Sequence, residues 1–174
     1  MRNLILLTLA FVSTFTFAEQ ICRQSSPLTK PNAAMRIAGD GTVIDAANKL
    51  QWQRCPLGMS GADCQGQAQR LTHMAALDKV LSLNRSGYAG HHDWRLPTPR
   101  ELTTLVSHAC VNPAIDLALF PNTPVIWYWT SSSEGGGGWA SWYVDFAIGQ
   151  TGLDDKNLPN AVRLVRSLGD DIKP

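Results

Sequence analysis

Residues 93–102 form the stretch that decides the fold: Asp93-Trp94-Arg95-Leu96-Pro97-Thr98-Pro99-Arg100-Glu101-Leu102. Thr98 is a preferred N-cap residue, Pro99 suits the first helical position, and the carboxylate of Glu101 stands where it can bond back to the cap. This capping box predicts a short helix that starts at Pro99 and ends before Pro113. Its buried stripe is predicted to be Leu102, Leu105, Val106 and Ala109.

The same stretch contains a possible ion pair. Arg95 can brace the carboxylate of Glu101, and Glu101 already has a sufficient role in the helix cap. We therefore predict structural roles for Arg95, Thr98 and Glu101, and we assign Trp94 to the scaffold as well.

The chain before this stretch predicts a hairpin and a longer helix. Residues 39–41 are a turn signal between Ile37 and two short runs, 42–45 and 50–53, whose composition is typical of paired strands. Residues 67–83 carry apolar side chains at helical spacing, and Gly87 is the residue type that helix C-termini favour. The apolar positions that predict the buried side of this helix are Ala68, Leu71, Ala75, Leu77 and Leu81.

Beyond the stretch the pattern changes to strands. Residues 125–130, 139–148 and 161–168 are rich in β-branched, aliphatic and aromatic side chains, and a glycine-rich loop, 131–138, separates the first two. Alternation within 139–148 puts Trp142, Val144 and Phe146 on one face, so Trp142 is predicted to lie in the core. This order of strands, helices and strands predicts an α+β domain.

The chain divides into four predicted segments. Residues 1–18 have a basic start, an apolar run and a small-x-small exit, as in a secretory signal peptide. A membrane span needs about 20 apolar residues, and this run is shorter. The mature form is therefore predicted not to span a membrane. An uncleaved membrane anchor is the alternative. Residues 19–36 are an extended lead-in, 37–168 the domain and 169–174 a tail. We expect an exported protein, periplasmic, extracellular or on the cell surface.

The charge balance argues against polyanionic partners. Lys and Arg number 15 against 14 Asp and Glu, and 44% of residues are hydrophobic, which suits one neutral globular domain. No Lys or Arg occurs between Arg100 and Lys156, whereas six carboxylates do. Nucleic acid is therefore not expected as a partner, and a polyanion site would have to use Arg163, Arg166 and the N-terminal half.

The four cysteines are predicted to form two disulfides. Their even number fits an oxidising compartment, and the turn-rich residues between Cys55 and Cys64 allow those two to meet. Among the possible pairings we favour Cys55 with Cys64 and Cys22 with Cys110. A zinc site is the rival interpretation, and the absence of a Cys-x-x-Cys motif weighs against it.

Several motifs in a fixed order resemble one bacterial domain family. They are Gly41-Thr42-Val43-x-Asp45 with Leu50-x-Trp52, the 93–102 stretch, Phe120-Pro121-Asn122-Thr123, Trp129-Thr130-Ser131-Ser132, Trp142-x-Val144-x-Phe146-x-x-Gly149 and Val162-Arg163-x-Val165-Arg166. The family is named for the C-terminal domain of the Legionella collagen-like protein, and the resemblance covers roughly residues 37–168.

The resemblance implies a C-type-lectin-like fold with two helices, small antiparallel sheets and adjacent terminal strands. It also implies export, and the namesake is an adhesin whose domain resembles a binder of sulfated polysaccharide. The sequence departs from the family pattern in two ways. Leu164 stands where many members carry Cys, so their C-terminal disulfide is absent here. There is also no collagen-like stalk, so the trimerisation of the namesake does not transfer.

No catalytic machinery is expected. The chain lacks the Gly-x-Ser-x-Gly and His-Glu-x-x-His motifs, and both predicted disulfides together leave no thiol as nucleophile. The formylglycine-generating enzymes share an Arg-Leu-Pro-Thr-x-x-Glu motif, but they resemble one another in a copper-binding Cys pair near the C-terminal end, and no Cys follows Cys110 here. We predict neither an enzyme nor a cofactor.

Metal binding is not expected either. His91 and His92 are adjacent, and adjacent side chains on an extended segment point to opposite sides. The Glu-Pro-Asn motif of calcium-dependent animal lectins is missing, which leaves Asp154 and Asp155 as weak calcium candidates.

A cluster of aromatic residues around the glycine-rich loop is the candidate ligand-binding site. An exposed Trp ring combines apolar area with one N–H donor, which suits a sugar or a protein partner. The predicted site residues are Trp127, Trp129, Trp139, Tyr143 and Glu134. Of these, Trp139 at the exit of the loop is the one expected at the surface. We expect glycan or surface-ligand recognition, as in an adhesin. The alternatives are an accessory protein of an envelope or surface assembly and, less favoured by the sequence, a formylglycine-generating-type enzyme.

Overall fold

The computed structural model describes residues 19–23, 35–135 and 138–169. The predicted signal peptide, residues 24–34 of the lead-in and the tail from residue 170 lie outside this part. In chain order the described elements are β1 (Ile21–Cys22), β2 (Met35–Ile37), β3 (Thr42–Asp45), β4 (Leu50–Gln53), β5 (Met59–Ser60), β6 (Gln65–Gly66), α1 (His73–Ser86), α2 (Pro99–Thr103), β7 (Cys110–Val111), β8 (Trp127–Ser133), β9 (Ala140–Asp145), β10 (Gln150–Asp155) and β11 (Val165–Ser167). The predicted α+β class is confirmed.

The first of the two larger sheets joins the beginning of the domain to its end. Its antiparallel order is β11-β4-β3-β2, so the predicted hairpin of β3 and β4 is confirmed. Trp52 lies between Val43 on one side and Val165 on the other. The last strand is shorter than predicted. Residues 161–164 instead bond to separate segments: Ala161 makes two backbone bonds to β8, and Leu57 N donates to Val162 O at 2.9 Å.

The second sheet is a three-stranded antiparallel meander in the order β10-β9-β8. Strand β10 pairs with β9 over all six of its residues. The sequence does not predict β10, because Gly152, Asp154 and Asp155 are all residue types that strands disfavour. A register shift interrupts the pairing of β8 with β9 between Trp129 and Ser133.

Helix α1 begins at His73 and not at residue 67, with Thr72 as its N-cap. The preceding residues are held by other segments: Gln69 N donates to Leu57 O at 2.7 Å and Leu71 N to Asn160 O at 2.8 Å. The predicted buried side of the helix is confirmed in part. Leu77 packs against buried core residues, and so does Leu71 just before the helix, whereas Leu81 is exposed. The buried helix residues are His73, Ala76 and Val80.

Helix α2 confirms the capping box. Glu101 N donates to Thr98 Oγ1 at 3.2 Å, and Thr98 N donates to Glu101 Oε2 at 2.7 Å. Leu102 is buried as predicted. The helix ends at Thr103, so the predicted helical stripe beyond it was wrong, although Leu105 and Ala109 are buried in the segment that follows.

Both predicted disulfides are confirmed. Cys22 pairs with Cys110 and Cys55 with Cys64. The first joins β1 to β7, which are also paired as strands, and so attaches residues 19–23 to the domain.

Two buried clusters flank the meander. The larger contains Trp52, Tyr128, Val144 and Phe146, and the smaller contains Trp94, Trp129 and Leu164. No helix within the described residues is long and apolar enough to cross a membrane.

Candidate functional site

An exposed ring and a half-buried ring are stacked on one face of the meander. The rings of Trp127 and Tyr143 lie with their centroids 4.3 Å apart and their planes 11° from parallel. Trp127 is 40% exposed, and Tyr143 is half-buried. The two come from neighbouring strands in a diagonal relation, since Trp127 faces Asp145 in the β8–β9 register. The structure thus brings together two of the five predicted site residues.

A glycine makes room for the stack. Gly152 is the register partner of Tyr143 on β10, and a Cβ there would lie 2.5 Å from the Tyr143 hydroxyl and 2.7 Å from its Cζ. The Tyr143 ring therefore lies across the backbone of the edge strand. We call Trp127, Tyr143 and Gly152 the aromatic platform.

Polar groups lie beside the aromatic platform on the same face. Asp145 is the cross-strand neighbour of both Trp127 and Gln150, and Gln150 is exposed. Burial, with the nearby carboxylates of Asp145 and Asp154, raises the pKa of Tyr143 above its usual value. Its hydroxyl therefore stays protonated at neutral pH and can donate a hydrogen bond. The surface offers two aromatic rings with donors and acceptors at their margin.

Trp129 does not belong to this surface, contrary to the sequence analysis. Its ring is fully buried, and its Nε1 donates to Leu71 O at 2.8 Å. The ring of His73 meets it edge-on at 5.4 Å, and His73 Nε2 lies 2.9 Å from Thr130 O. Burial lowers the pKa of His73, which favours the neutral ring in this position. Trp129 anchors α1 to the meander.

Trp139 and Glu134 lie at the other end of β9. Trp139 is 68% exposed, which confirms its predicted surface position. The base of the loop is fixed by three bonds: Glu134 N to Ala140 O at 3.0 Å, Lys156 N to Trp139 O at 3.1 Å and Lys156 Nζ to Gly138 O at 2.5 Å. Trp139 precedes Tyr143 by four residues, about 13 Å along a strand. The five predicted residues therefore do not form one compact site.

Trp142 was predicted to be core and is instead 36% exposed. Val144 and Phe146, which share its face, are fully buried. The register partner of Trp142 is Leu153, which is 41% exposed. Core residues therefore cover one end of this face and leave the Trp142–Leu153 pair at the surface.

The predicted structural residues occupy the expected positions. Arg95 contacts both carboxylate oxygens of Glu101, at 2.8 and 2.7 Å, and Trp94 is buried with its Nε1 donating to Tyr88 O at 2.8 Å. The hydrogen bond from Arg95 is the main cause of a lowered pKa at Glu101, with a further contribution from the Thr98 backbone. These contacts join α2 to the segment before it.

Arg163 lies in the interior of the domain, although the sequence had allowed it as part of a polyanion site. It is fully buried, donates to Gln53 O, Arg54 O and Thr123 Oγ1, and lies 4.7 Å over the ring of Phe120. Burial lowers its pKa to about 10. An Arg is usually exposed, so its residue type did not predict this burial. Arg163 therefore cannot serve the polyanion surface that the sequence allowed for.

The histidine pair is part of the scaffold. His92 Nδ1 lies 2.6 Å from Asn84 O, and the ring of His91 lies 6.3 Å from that of Trp94. Across residues 19–23, 35–135 and 138–169, no three His, Cys, Asp or Glu side chains converge as metal ligands would.

The order of the motifs agrees with one protein family. The family model described as the Lcl C-terminal domain matches residues 41–166. The chain therefore belongs to this family, as its motifs indicated. No curated protein matches the chain.

Proposed function

We propose that the chain is an exported, non-catalytic binding domain of C-type-lectin-like fold that recognises a neutral glycan on its aromatic platform. The observation that carries this proposal is the stack of Trp127 on Tyr143, with Trp127 40% exposed on a sheet otherwise in contact with two cores. Large aromatic rings are usually buried, so a stacked pair held open at the surface favours a ligand.

The composition of the platform suits a sugar. The apolar face of a pyranose ring can pack on an indole or phenol ring, while its hydroxyls need donors and acceptors at the margin. Asp145, Gln150 and the Tyr143 hydroxyl lie on that face. The stack also holds both rings parallel in advance, so less side-chain freedom is lost on binding.

The surrounding charge favours a neutral ligand over a sulfated one. The platform lies wholly within the stretch between Arg100 and Lys156, which has carboxylates and no Lys or Arg. A polyanion would be repelled there. This proposal departs from the sulfated ligand that the family resemblance suggested.

The disulfides support the other parts of the proposal. Two disulfides are typical of proteins in oxidising compartments, which supports export. Because all four cysteines of the sequence are paired, none is a free thiol for copper-dependent chemistry of the formylglycine-generating type.

The test compares two exposed tryptophans on an array of neutral and sulfated glycans. We expect wild type to bind a neutral glycan. Trp127→Ala should weaken binding about tenfold, the equivalent of about 1.4 kcal/mol. Trp139→Ala is the matched control, because the same residue type is removed at the far end of β9, and it should leave affinity nearly unchanged.

Either of two results would overturn the proposal. One is the absence of wild-type binding to any glycan on the array. The other is loss of binding in Trp139→Ala with Trp127→Ala unaffected, which would move the site to the loop. Thermal unfolding of each variant shows that the fold is intact.

A further inference from the structure

Strand β10 has hydrogen-bonding groups directed away from its sheet. The bond from Lys156 N to Trp139 O at 3.1 Å fixes which residue pairs of β9 and β10 exchange backbone bonds. Because these pairs alternate along an antiparallel ladder, Gln150, Gly152 and Asp154 face β9 while Thr151, Leu153 and Asp155 face outward. Thr151 and Leu153 are exposed, and their outward backbone groups have no partner within the described residues. Asp155 O accepts a bond from Leu158 N at 2.9 Å.

This edge lacks the usual protection against pairing. Edge strands commonly carry a Pro, a Lys or a bulge that prevents the addition of another strand. Strand β10 has neither Pro nor Lys, and its register with β9 is unbroken over six residues. The charged side chains within this strand are Asp154 and Asp155, and they restrict which strands can pair with it.

We propose that β10 pairs antiparallel with β10 of a second copy of this chain, on a two-fold axis at Leu153. In this register Leu153 faces Leu153 of the second copy, and Thr151 faces Asp155 of the second copy. Outward backbone groups then meet only outward groups, as the ladder requires. The two meanders become one continuous six-stranded sheet.

The apolar side chains next to this edge favour a second copy of the chain as the pairing partner. Trp142 and Leu153 are cross-strand neighbours and are both exposed. The two-fold axis joins them to the same pair in the second copy, which gives an unbroken apolar row of Trp142, Leu153, Leu153 and Trp142. Cross-strand apolar pairs of this kind stabilise sheets. The row joins two apolar side chains that the fold leaves at the surface of this face to the same two in the second copy.

The charges are compatible with this register and oppose a neighbouring one. With the axis at Leu153, Asp154 faces Gly152 of the second copy and Asp155 faces Thr151, so no two carboxylates are opposed. A shift that places the axis at Asp154 would set two like charges directly opposite each other, which is destabilising.

Pairing in this way leaves the aromatic platform open, because the platform lies on the other face of the meander. The proposal is thus independent of glycan binding. The contact is small, below about 1,200 Å², the range of weak complexes. We therefore expect the dimer to dissociate on dilution, with a dissociation constant on the order of 100 μM.

Engineered cysteines test the register directly, since all four native cysteines are paired. Residues opposed in a hydrogen-bonded pair have Cα atoms about 5.5 Å apart, within disulfide range. Leu153→Cys should therefore form a disulfide-linked dimer on mild oxidation. Thr151→Cys is the matched control, because the two copies of residue 151 would be about 13 Å apart along the strands.

Sedimentation of the oxidised protein over a concentration series provides the second measurement. Wild type should rise from one to two chain masses, and Leu153→Lys should remain at one. Leu158→Lys should behave as wild type, because Leu158 lies outside the strand although it is at least as exposed, 50% against 41% for Leu153. A wild type that stays monomeric throughout overturns the proposal. So does equal cross-linking of Leu153→Cys and Thr151→Cys, which would indicate random collision or a different partner surface.

Discussion

Removal of the Glu101 carboxylate tests how α2 is held. Its Oε2 accepts the Thr98 N–H at 2.7 Å, which completes a capping box, and its two oxygens contact Arg95 at 2.8 and 2.7 Å. Loss of the cap contact costs about 1 kcal/mol. The ion pair is worth at most about 1 kcal/mol, because Arg95 is 39% exposed and water screens the attraction.

We therefore expect Glu101→Ala to lower the free energy of unfolding by about 2 kcal/mol. For a chain of this size that corresponds to a fall in Tm of roughly 4–8 °C. Glu101→Gln keeps a carbonyl acceptor for Thr98 N–H and loses the charge, so about half the effect should remain. Urea unfolding of the oxidised protein at neutral pH measures both changes.

The pH dependence follows from the lowered pKa of Glu101. A carboxyl whose folded pKa is below its unfolded value stabilises the fold above the unfolded value, here 4.5, and this contribution is lost as pH falls through the folded value. The difference between wild type and Glu101→Gln should therefore be full above about pH 5 and shrink in stronger acid.

Asp93→Ala provides the control for this experiment. Asp93 makes a single contact with Arg166 at 2.7 Å and is 55% exposed, so its loss should cost less than about 0.5 kcal/mol. The reasoning is refuted if Asp93→Ala costs as much as Glu101→Ala, or if the Glu101→Gln difference persists unchanged in acid.

Two further predictions concern the disulfides and the aromatic platform. Removal of Cys22–Cys110, which closes 88 residues, should cost about 4.6 kcal/mol by loop entropy, against about 2.6 kcal/mol for Cys55–Cys64, which closes 9. Urea unfolding of the two double Cys→Ala variants measures both losses of stability. A larger loss on removal of Cys55–Cys64 than on removal of Cys22–Cys110 would contradict this prediction. Gly152→Ala places a methyl group 2.5 Å from the Tyr143 hydroxyl. The Tyr143 ring must then move, so the near-ultraviolet circular dichroism of its stack with Trp127 should change. Tm should fall by less than about 4 °C. An unaltered spectrum would contradict the proposed role of Gly152.

Local signals predicted the parts of the fold that local contacts determine. The capping box at Thr98 depends on residues three apart, and the Cys55–Cys64 disulfide spans a short turn-rich segment. Both were confirmed. The start of α1 was wrong because residues 69 and 71 bond to Leu57 and Asn160, and a pattern of apolar spacing contains no information about such distant partners.

The candidate site was predicted in part for a related reason. Alternation along β9 indicates which side chains share a face but not how far the core extends beneath that face. Val144 is covered and Trp142, two residues away, is not. The stack of Trp127 on Tyr143 depended on β10, a strand that its own composition disfavours, so Gly152 could not be recognised as part of the site.

The first sheet also determines when the domain can become stable. Gln51 on β4 bonds to Arg166 on β11 at a sequence separation of 115 residues, and Trp52 has its register partner in Val165. During synthesis the early hairpin therefore lacks one neighbour until nearly the whole domain has been made. Contacts of such separation slow folding, since a long loop must close before they contribute. A shortened chain that ends before Val165 would lose the β11 partner of Trp52. One edge of β4 would then stay unpaired, and an unpaired edge is open to aggregation.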